Sequence, residues 1–397
     1  MKWEKVKLSE VTEYITDGDH QPAPKSDSGV LFVKIKDIQD NRLTFDNALF
    51  VPQEYYNRLP KNRKAEYGDT LYTVVGSYGI PAFVNHNIPF CFERNIALLH
   101  PNNRVIPKYL YYAVNNPIFY GNANNIANGS AQKLIPLSKL AGMEISVPPI
   151  ERQETIVNIL SAYDDLIENN QKQIKLLEEA AQRLYKEWFI DLRFPGHENV
   201  KIVDGVPEGW ERMVLSEVTS ILKRGISPKY SDNGKHSVIN QKCIRSSIMD
   251  ISESRRQEKE YVPTLNLQDS DTVICSTGTG TLGRVGRVYG DYPNTTFDSH
   301  VTLVRAKENP NYIYHVVKSQ QEYLMGMGRG STNQQELYRD VIERLVVLCP
   351  SQDILLKAER VLNAIHCKIK AVYLQNNLLV ESRDRLLPKL MSGEIEV

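Results

Sequence analysis

No stretch of this chain approaches the about 18 to 20 consecutive apolar residues that a membrane helix needs, and Met1-Lys2-Trp3-Glu4-Lys5 lacks the apolar core of a signal peptide. A cytoplasmic protein that does not enter a membrane is expected. Cysteine is sparse: Cys91, Cys243, Cys275, Cys349 and Cys367 are odd in number, scattered and never in a C-x-x-C pair, which supports neither a zinc site nor a disulfide framework. They read as small buried hydrophobes. Excess charge is missing as well, with 48 basic and 48 acidic side chains, so a nonspecific nucleic-acid coater that works by phosphate neutralisation is excluded. A sequence reader is not. The tetrapeptide D/N-P-P-Y/F of amine methylation, the phosphate loop G-x-x-x-x-G-K-S/T and the nucleophile elbow G-x-S-x-G are all absent. His20, His86, His236, His300 and His315 show no metal-ligand spacing. No catalytic or metal-ligating residue is therefore assigned. What remains is a chain of 397 residues with 41% apolar content, long enough for two to three folded domains.

An internal duplication organises it. Trp3-Glu4-Lys5-Val6-Lys7-Leu8-Ser9-Glu10-Val11 recurs as Trp210-Glu211-Arg212-Met213-Val214-Leu215-Ser216-Glu217-Val218, with six identities in nine. Gly68-Asp69-Thr70-Leu71 matches Ser270-Asp271-Thr272-Val273, Phe92 to Leu98 matches Phe297 to Leu303, and Gly129-Ser130 matches Gly330-Ser331, at offsets between 201 and 207. Strand-like runs such as Val30 to Val33 and Thr272 to Cys275, mixed with helical stretches such as Pro107 to Tyr112, make each half an α+β unit. Each half then ends in a long heptad seam: Ile156, Leu160, Tyr163, Ile167, Asn170, Ile174, Leu177, Ala181, Leu184 and Trp188, repeated as Ala358, Leu362, Ile365, Ile369, Val372, Asn376, Leu379, Arg383, Leu386 and Leu390. Pro148-Pro149 and Pro350-Ser351 mark the starts, and Pro388 is expected to end the second helix. At about 1.5 Å per residue each helix is about 55 to 60 Å long. Two such helices in tandem halves favour an antiparallel coiled coil with a pseudo-twofold axis. Full overlap would set Asn170 opposite Asn376 as a register device.

Gly278-Thr279-Gly280-Thr281-Leu282-Gly283 fits the dinucleotide pattern G-x-G-x-x-G, which holds pyrophosphate only where a helix follows. Here a strand-like Arg284 to Tyr289 follows, and the duplicate Gly76-Ser77-Tyr78-Gly79 fails the pattern, so both read as β-turns. Local charge is more telling. Lys223, Arg224, Lys229, Lys235, Lys242, Arg245, Arg255 and Arg256 face three acids within one stretch; interleaved with Asn240 and Gln241, they offer the side-chain forks that read base edges.

The repeated Trp-Glu-x-x-x-Leu-Ser-Glu-Val, the Val206-Pro207-Glu208-Gly209-Trp210 lead-in, the glycine turns, the Gly-Ser-x-Gln/Asn stretch and the Pro149 to Gln153 helix start resemble the specificity subunit of type I restriction-modification systems. The resemblance spans essentially the whole chain. It implies a non-catalytic subunit with two target-recognition domains, residues 1–147 and 210–349, that read a bipartite double-stranded DNA site. Long helices at 148–190 and 350–390, with a linker at 191–209, would hold the domains apart. It further implies two adenine-N6 methyltransferase subunits that bind S-adenosylmethionine and restriction subunits that use ATP and Mg, with no cofactor in this chain. Carried onto this sequence, it assigns DNA reading to Asp17, Gly18, His20, Gln21, Gly76, Ser77, Tyr78, Gly79 and Gln132 in the first domain. In the second it assigns Lys223, Arg224, Ser227, Asn240, Gln241, Lys242, Thr277, Thr279, Thr281 and Arg284. Two departures stand out: Ser351-Gln352-Asp353 replaces Ile150 to Gln153, and Arg383 sits on the seam, where it is expected to face solvent or a partner. The alternatives are a coiled-coil scaffold that ignores DNA and a nucleotide-dependent enzyme using Gly278 to Gly283.

Overall fold

The structure is a computed structural model that describes residues 3–46, 48–129, 133–330 and 335–397. It divides into two compact units, residues 1–168 with 376–397, and residues 169–375.

In the first unit Glu4–Lys7 pairs antiparallel with Glu144–Val147. A four-stranded sheet runs in the order Thr12–Asp17, Ile96–Pro101, Thr70–Thr73 and Pro81–Phe83, and a three-stranded sheet in the order Leu49–Val51, Val30–Val33 and Phe90–Phe92. The second unit repeats all three. Glu211–Val214 pairs with Val346–Cys349; the four strands are Thr219–Arg224, Val301–Ala306, Thr272–Cys275 and Val285–Arg287; the three are Arg255–Gln257, His236–Ile239 and Thr295–Phe297. Within each three-stranded sheet the central strand pairs antiparallel on one side and parallel on the other.

The recurring Leu-Ser-Glu-Val has a physical cause. In each unit it forms one helical turn between two strands. Leu8 and Leu215 are fully buried, and the glutamate caps the turn from below: Glu10 Oε1 accepts from Lys7 N at 2.9 Å and Glu217 Oε2 from Val214 N at 2.9 Å. Thr12 and Thr219 hydroxyls donate back to Leu8 O and Leu215 O. Likewise the Tyr109 hydroxyl donates to Ser146 O at 2.8 Å and its counterpart Tyr312 to Leu348 O.

The two long helices are Ile150–Tyr185 and Gln352–Ser392. In the first unit Ile156 and Leu160 share a core with Leu387, Leu390 and Met391, and Arg383 Nη1 donates to Asp164 Oδ1 at 2.9 Å, so these helix segments run antiparallel. In the second unit Tyr185 and Phe189 share a core with Ile354 and Ala358, again end to start. No seam position faces open solvent.

Three expectations are corrected. Arg383 does not face open solvent; its side chain is 18% exposed and is neutralised by Asp164 and Asp384. Pro388 does not end the second helix, which continues to Ser392; burial of Leu387, Leu390 and Met391 in the first unit's core outweighs the about 3 kcal/mol that an interior proline costs. The first seam shifts at its end, where the π-helical turn Lys186–Ile190 buries Tyr185 and Phe189 in place of Leu184 and Trp188. Among the cysteines, Cys91, Cys243 and Cys275 are buried, whereas Cys349 is half-buried and Cys367 exposed. No helix among the described residues is long and apolar enough to cross a membrane.

Candidate nucleic-acid interface

In the first unit the strand Thr12–Asp17 delivers its last residues against the end of Phe90–Phe92. A Cβ on Gly18 would lie 2.0 Å from Phe92 O, so glycine stands there because two backbones nearly touch, not because a turn needs it. Asp19 then bridges Glu93, and its carboxylate accepts from Tyr55 Oη at 3.0 Å and Arg63 Nη1 at 3.1 Å. His20 lies 3.2 Å from Asp17 Oδ1 with an exposed ring, and Gln21 is exposed beside it. These residues rim a cleft of about 400 Å³ shared with Phe32, Lys34, Leu49 and Arg94.

The glycine turn lies next to this cleft, because Val74 N donates to Asn95 O at 2.9 Å and Asn95 also lines the cleft. Gly76 N donates to Lys133 O. Gly79 adopts φ 86° and backs onto the Tyr120 ring. Tyr78 stacks on Tyr120, bonds Asn124 through its hydroxyl and carries the Lys133 ammonium 5.8 Å from its ring centre. Gly76 and Ser77 are left exposed. Gln132 lies outside the described residues.

The second unit builds the same cluster from different side chains. Gly225 takes the place of Gly18, with Phe297 O and Asp298 O both 2.2 Å from an added Cβ, and Ile226 bridges Asp298 as Asp19 bridges Glu93. Asp298 is fully buried; burial pushes its carboxyl above the usual range, while the His300 N–H at 2.8 Å opposes that shift. His300 Nδ1 meets Thr277 Oγ1 at 2.5 Å, which ties the glycine turn to the same edge. Gln241 comes up against Gly278, its Nε2 3.3 Å from where a Cβ would be. Thr281 donates to Thr277 O at 3.0 Å, Thr279 is exposed, and Arg284 leaves the turn half-buried.

Lys223, Lys242 and Ser227 are exposed, while two assigned residues are spent internally. Arg224 donates to Ser299 O at 2.5 Å and pairs with Glu336, and Asn240 caps a 3-10 turn by accepting from Lys242 N at 2.8 Å. The glycine segment from Gly278 to Gly283 joins strand to strand, with Gly283 pressed against Met325 N, so the helix that a pyrophosphate cradle needs does not follow it. Sequence reasoning gave Gly225, Asp298 and Tyr230 no place in the DNA-reading cluster. The offset of 207 between Trp3 and Trp210 also relates Gly18 to Gly225 and was the signal that could have found it.

A family model described as "Type I restriction modification DNA specificity domain" matches residues 1–179 and 207–354. The chain is 28% identical over 324 residues to the type I restriction enzyme MjaIX specificity subunit of Methanocaldococcus jannaschii, covering 78% of this chain and 74% of that one. It is 23% identical over 447 residues to the HindI specificity subunit of Haemophilus influenzae, covering 92% and 94%. Its fold is similar to that of a crystallised type I restriction-modification S subunit from M. genitalium, with a TM-score of 0.58 at 17% identity over 98% of this chain and 96% of that one.

Proposed function

Because the chain belongs to the type I restriction-modification DNA specificity family and is a specificity subunit, the non-catalytic recognition component, we propose that each of its units reads one part of a bipartite double-stranded DNA site. One observation carries this reading: a single chain presents the same loop cluster twice, around Gly18 and Gly225, with different side chains at its rim. Corresponding strand crossings with unlike polar edges suit two unlike half-sites in the major groove, where all four base pairs are distinguishable.

In the first unit His20 and Gln21, with the turn Gly76 to Gly79 and Gln132, supply donors and acceptors to base edges, and Asp17 orients His20. In the second unit Lys223 and Lys242 take phosphates, while Ser227, Gln241, Thr277, Thr279, Thr281 and Arg284 approach the bases. Arg224 and Asn240 position the loops through their internal bonds. The long helices serve as the ruler that sets the unread spacer, and Asn170 and Asn376, each buried, are its register residues. Specificity subunits bind DNA and assemble with other subunits of the system. Here those are two adenine-N6 methyltransferase subunits carrying S-adenosylmethionine and restriction subunits using ATP and Mg, in the cytoplasm. That division of labour fits a chain without catalytic motifs.

The test is a genome-wide map of N6-methyladenine in cells expressing this chain with its methyltransferase and in matched cells lacking the chain. Methylation at one split motif that disappears without the chain is expected; an unchanged map overturns the reading. Inserting about seven residues in each helix adds about 10 Å, near three base pairs of duplex. The spacer should lengthen while both half-sites stay, and an unchanged spacer would sink the ruler.

A further inference from the structure

The eight cations between Lys223 and Arg256 are not equivalent once the chain is folded. Arg224 is tied to Ser299 and Glu336, Lys229 lies 3.0 Å from Glu258 and Arg245 3.6 Å from Glu253. Arg255 is exposed and has no carboxylate within ion-pair distance among the described residues; its guanidinium lies 3.6 Å over the centre of the Tyr230 ring.

That ring is a fixed platform. The Tyr230 hydroxyl donates to Asp298 Oδ2 at 3.4 Å, the acid at the middle of the loop cluster. The surrounding loop is fastened to the strand Arg255–Gln257 by Glu258 N to Lys229 O at 2.9 Å, Ser231 N to Arg256 O at 3.2 Å and a bridge between Tyr230 and Gln257. A guanidinium held over a ring and bonded to its hydroxyl loses rotational freedom and keeps further N–H groups at its outer edge, and such a planar fork meets guanine O6 and N7 with two parallel hydrogen bonds.

We propose that Arg255, held on Tyr230, is the guanine-reading residue of the second unit. The proposal rests on the DNA-reading function argued above and deepens it by assigning one base to one side chain. It also assigns that base to one half-site only. In the strand register Arg255 faces Val238 as Leu49 faces Phe32, so the first unit carries an apolar residue where the second carries the fork.

The experiment is the N6-methyladenine map repeated with Arg255→Lys and Arg255→Ala, each co-expressed with the methyltransferase. Both variants are expected to lose preference for guanine by about tenfold or more at one position of one half-site, with the other half-site unchanged. Lysine keeps the charge but not the fork. If Arg255→Lys preserves the motif and Arg255→Ala lowers methylation evenly at all sites, Arg255 is a phosphate contact and the proposal is overturned; an unaltered motif in both variants overturns it too. Those results leave the DNA-reading function standing, because the unmodified chain still directs a split motif. If the unmodified chain directs none, that function fails and the proposal falls with it. Because Arg255 is exposed, co-purification of each variant with the methyltransferase at wild-type yield is expected.

Discussion

In the first unit the helix Pro107–Val114 meets the first long helix through Tyr112, whose hydroxyl donates to Asp164 Oδ2 at 2.6 Å, and Arg383 neutralises that acid. The corresponding positions of the second unit are His315 and His366. Their Nε2 atoms lie 3.0 Å apart, and His366 Nδ1 is 2.8 Å from the Tyr289 hydroxyl. One facing ring nitrogen must accept from the other, which requires that they not both be protonated there. A second pair of corresponding sites diverges in the same way. Asp69 and Asp271 each accept the backbone N–H three residues earlier, but Asp69 is met by His100 at 2.6 Å and Asp271 by both arms of Arg305 at 2.7 Å. A third concerns the helix starts. Gln153 holds Ile106 N, Arg104 O and Pro148 O together, whereas the second unit lacks that glutamine and uses Glu359, which accepts from Asn311 N and Tyr312 N. Duplication preserved the backbone geometry and left the buried charges to be settled afresh in each unit. The lesson is that packing tolerates several ionic solutions behind one hydrogen-bond frame, and each solution fails under different conditions.

Removing an arm of the more charged solution should have the largest effect. Arg305→Ala leaves Asp271 buried without its partner and should destabilise the second unit by about 3–5 kcal/mol, with His100→Ala in the first unit clearly milder; denaturant unfolding of each variant decides the order. Acid should separate the units next. Burial, with Arg287 and Lys318, pushes His315 down to about 3, and burial with Arg287 and His315 lowers His366 as well. Both native rings refuse protons that the unfolded chain accepts below about pH 6.5, so stability is present above that value and falls as pH drops toward 3. The loss is about 1.4 kcal/mol per pH unit for each ring, or about 3 kcal/mol by pH 5.5. Fluorescence can follow it, since Trp188 and Trp210 report the second unit and Trp3 the first. Equal acid sensitivity of the two signals would contradict the contrast, because the described residues of the first unit hold no facing pair of buried histidines, burial there lowering the half-buried His86.

Glycine replacements give a finer measure. Gly79 and Gly283 both occupy the left-handed region, at φ 86° and 77°, which costs an alanine about 1–2 kcal/mol. Gly283→Ala would also strike Met325 backbone atoms within 2.9 Å, whereas Gly79→Ala presses on the Tyr120 ring, which can turn aside, and makes ordinary contact with Tyr72 Oη at 3.6 Å. Thermal melting should therefore rank Gly283→Ala as the worse. Glu359→Gln should remove the charge at the start of the helix Pro310–Ser319 and, because the amide NH2 cannot accept as both carboxylate oxygens do, one backbone N–H bond as well, about 1–2 kcal/mol. The smallest change is expected from Asn170→Leu with Asn376→Leu, which should hold or raise helix stability while loosening register; a loss of several kcal/mol would refute the register role.

Much of the frame was legible in the sequence. The heptad seams were read residue by residue, and the strands Val30–Val33 and Thr272–Cys275 and the helix beginning at Pro107 lie where alternation and proline placed them. The turn reading of Gly278 to Gly283 also holds, because the strand pattern after it was visible. Less of the candidate site could be read. Arg224 and Arg255 look alike in the sequence, yet one is locked onto Ser299 and the other stacked on Tyr230. Nothing in the sequence around Gly18 announces that two backbones cross closely there.

The sequence by itself determined the duplication, the α+β character of each half, the apolar seams and the absence of catalytic motifs, since periodicity and motif spacing are properties of neighbouring residues. Only the tertiary structure decided that Arg383 is answered by Asp164, 219 positions away, that two histidines share one buried hydrogen bond, and which cations stay open at the rim. Those outcomes depend on where the chain returns to itself, and a charge or a ring acquires its role from what the return brings within a few ångströms.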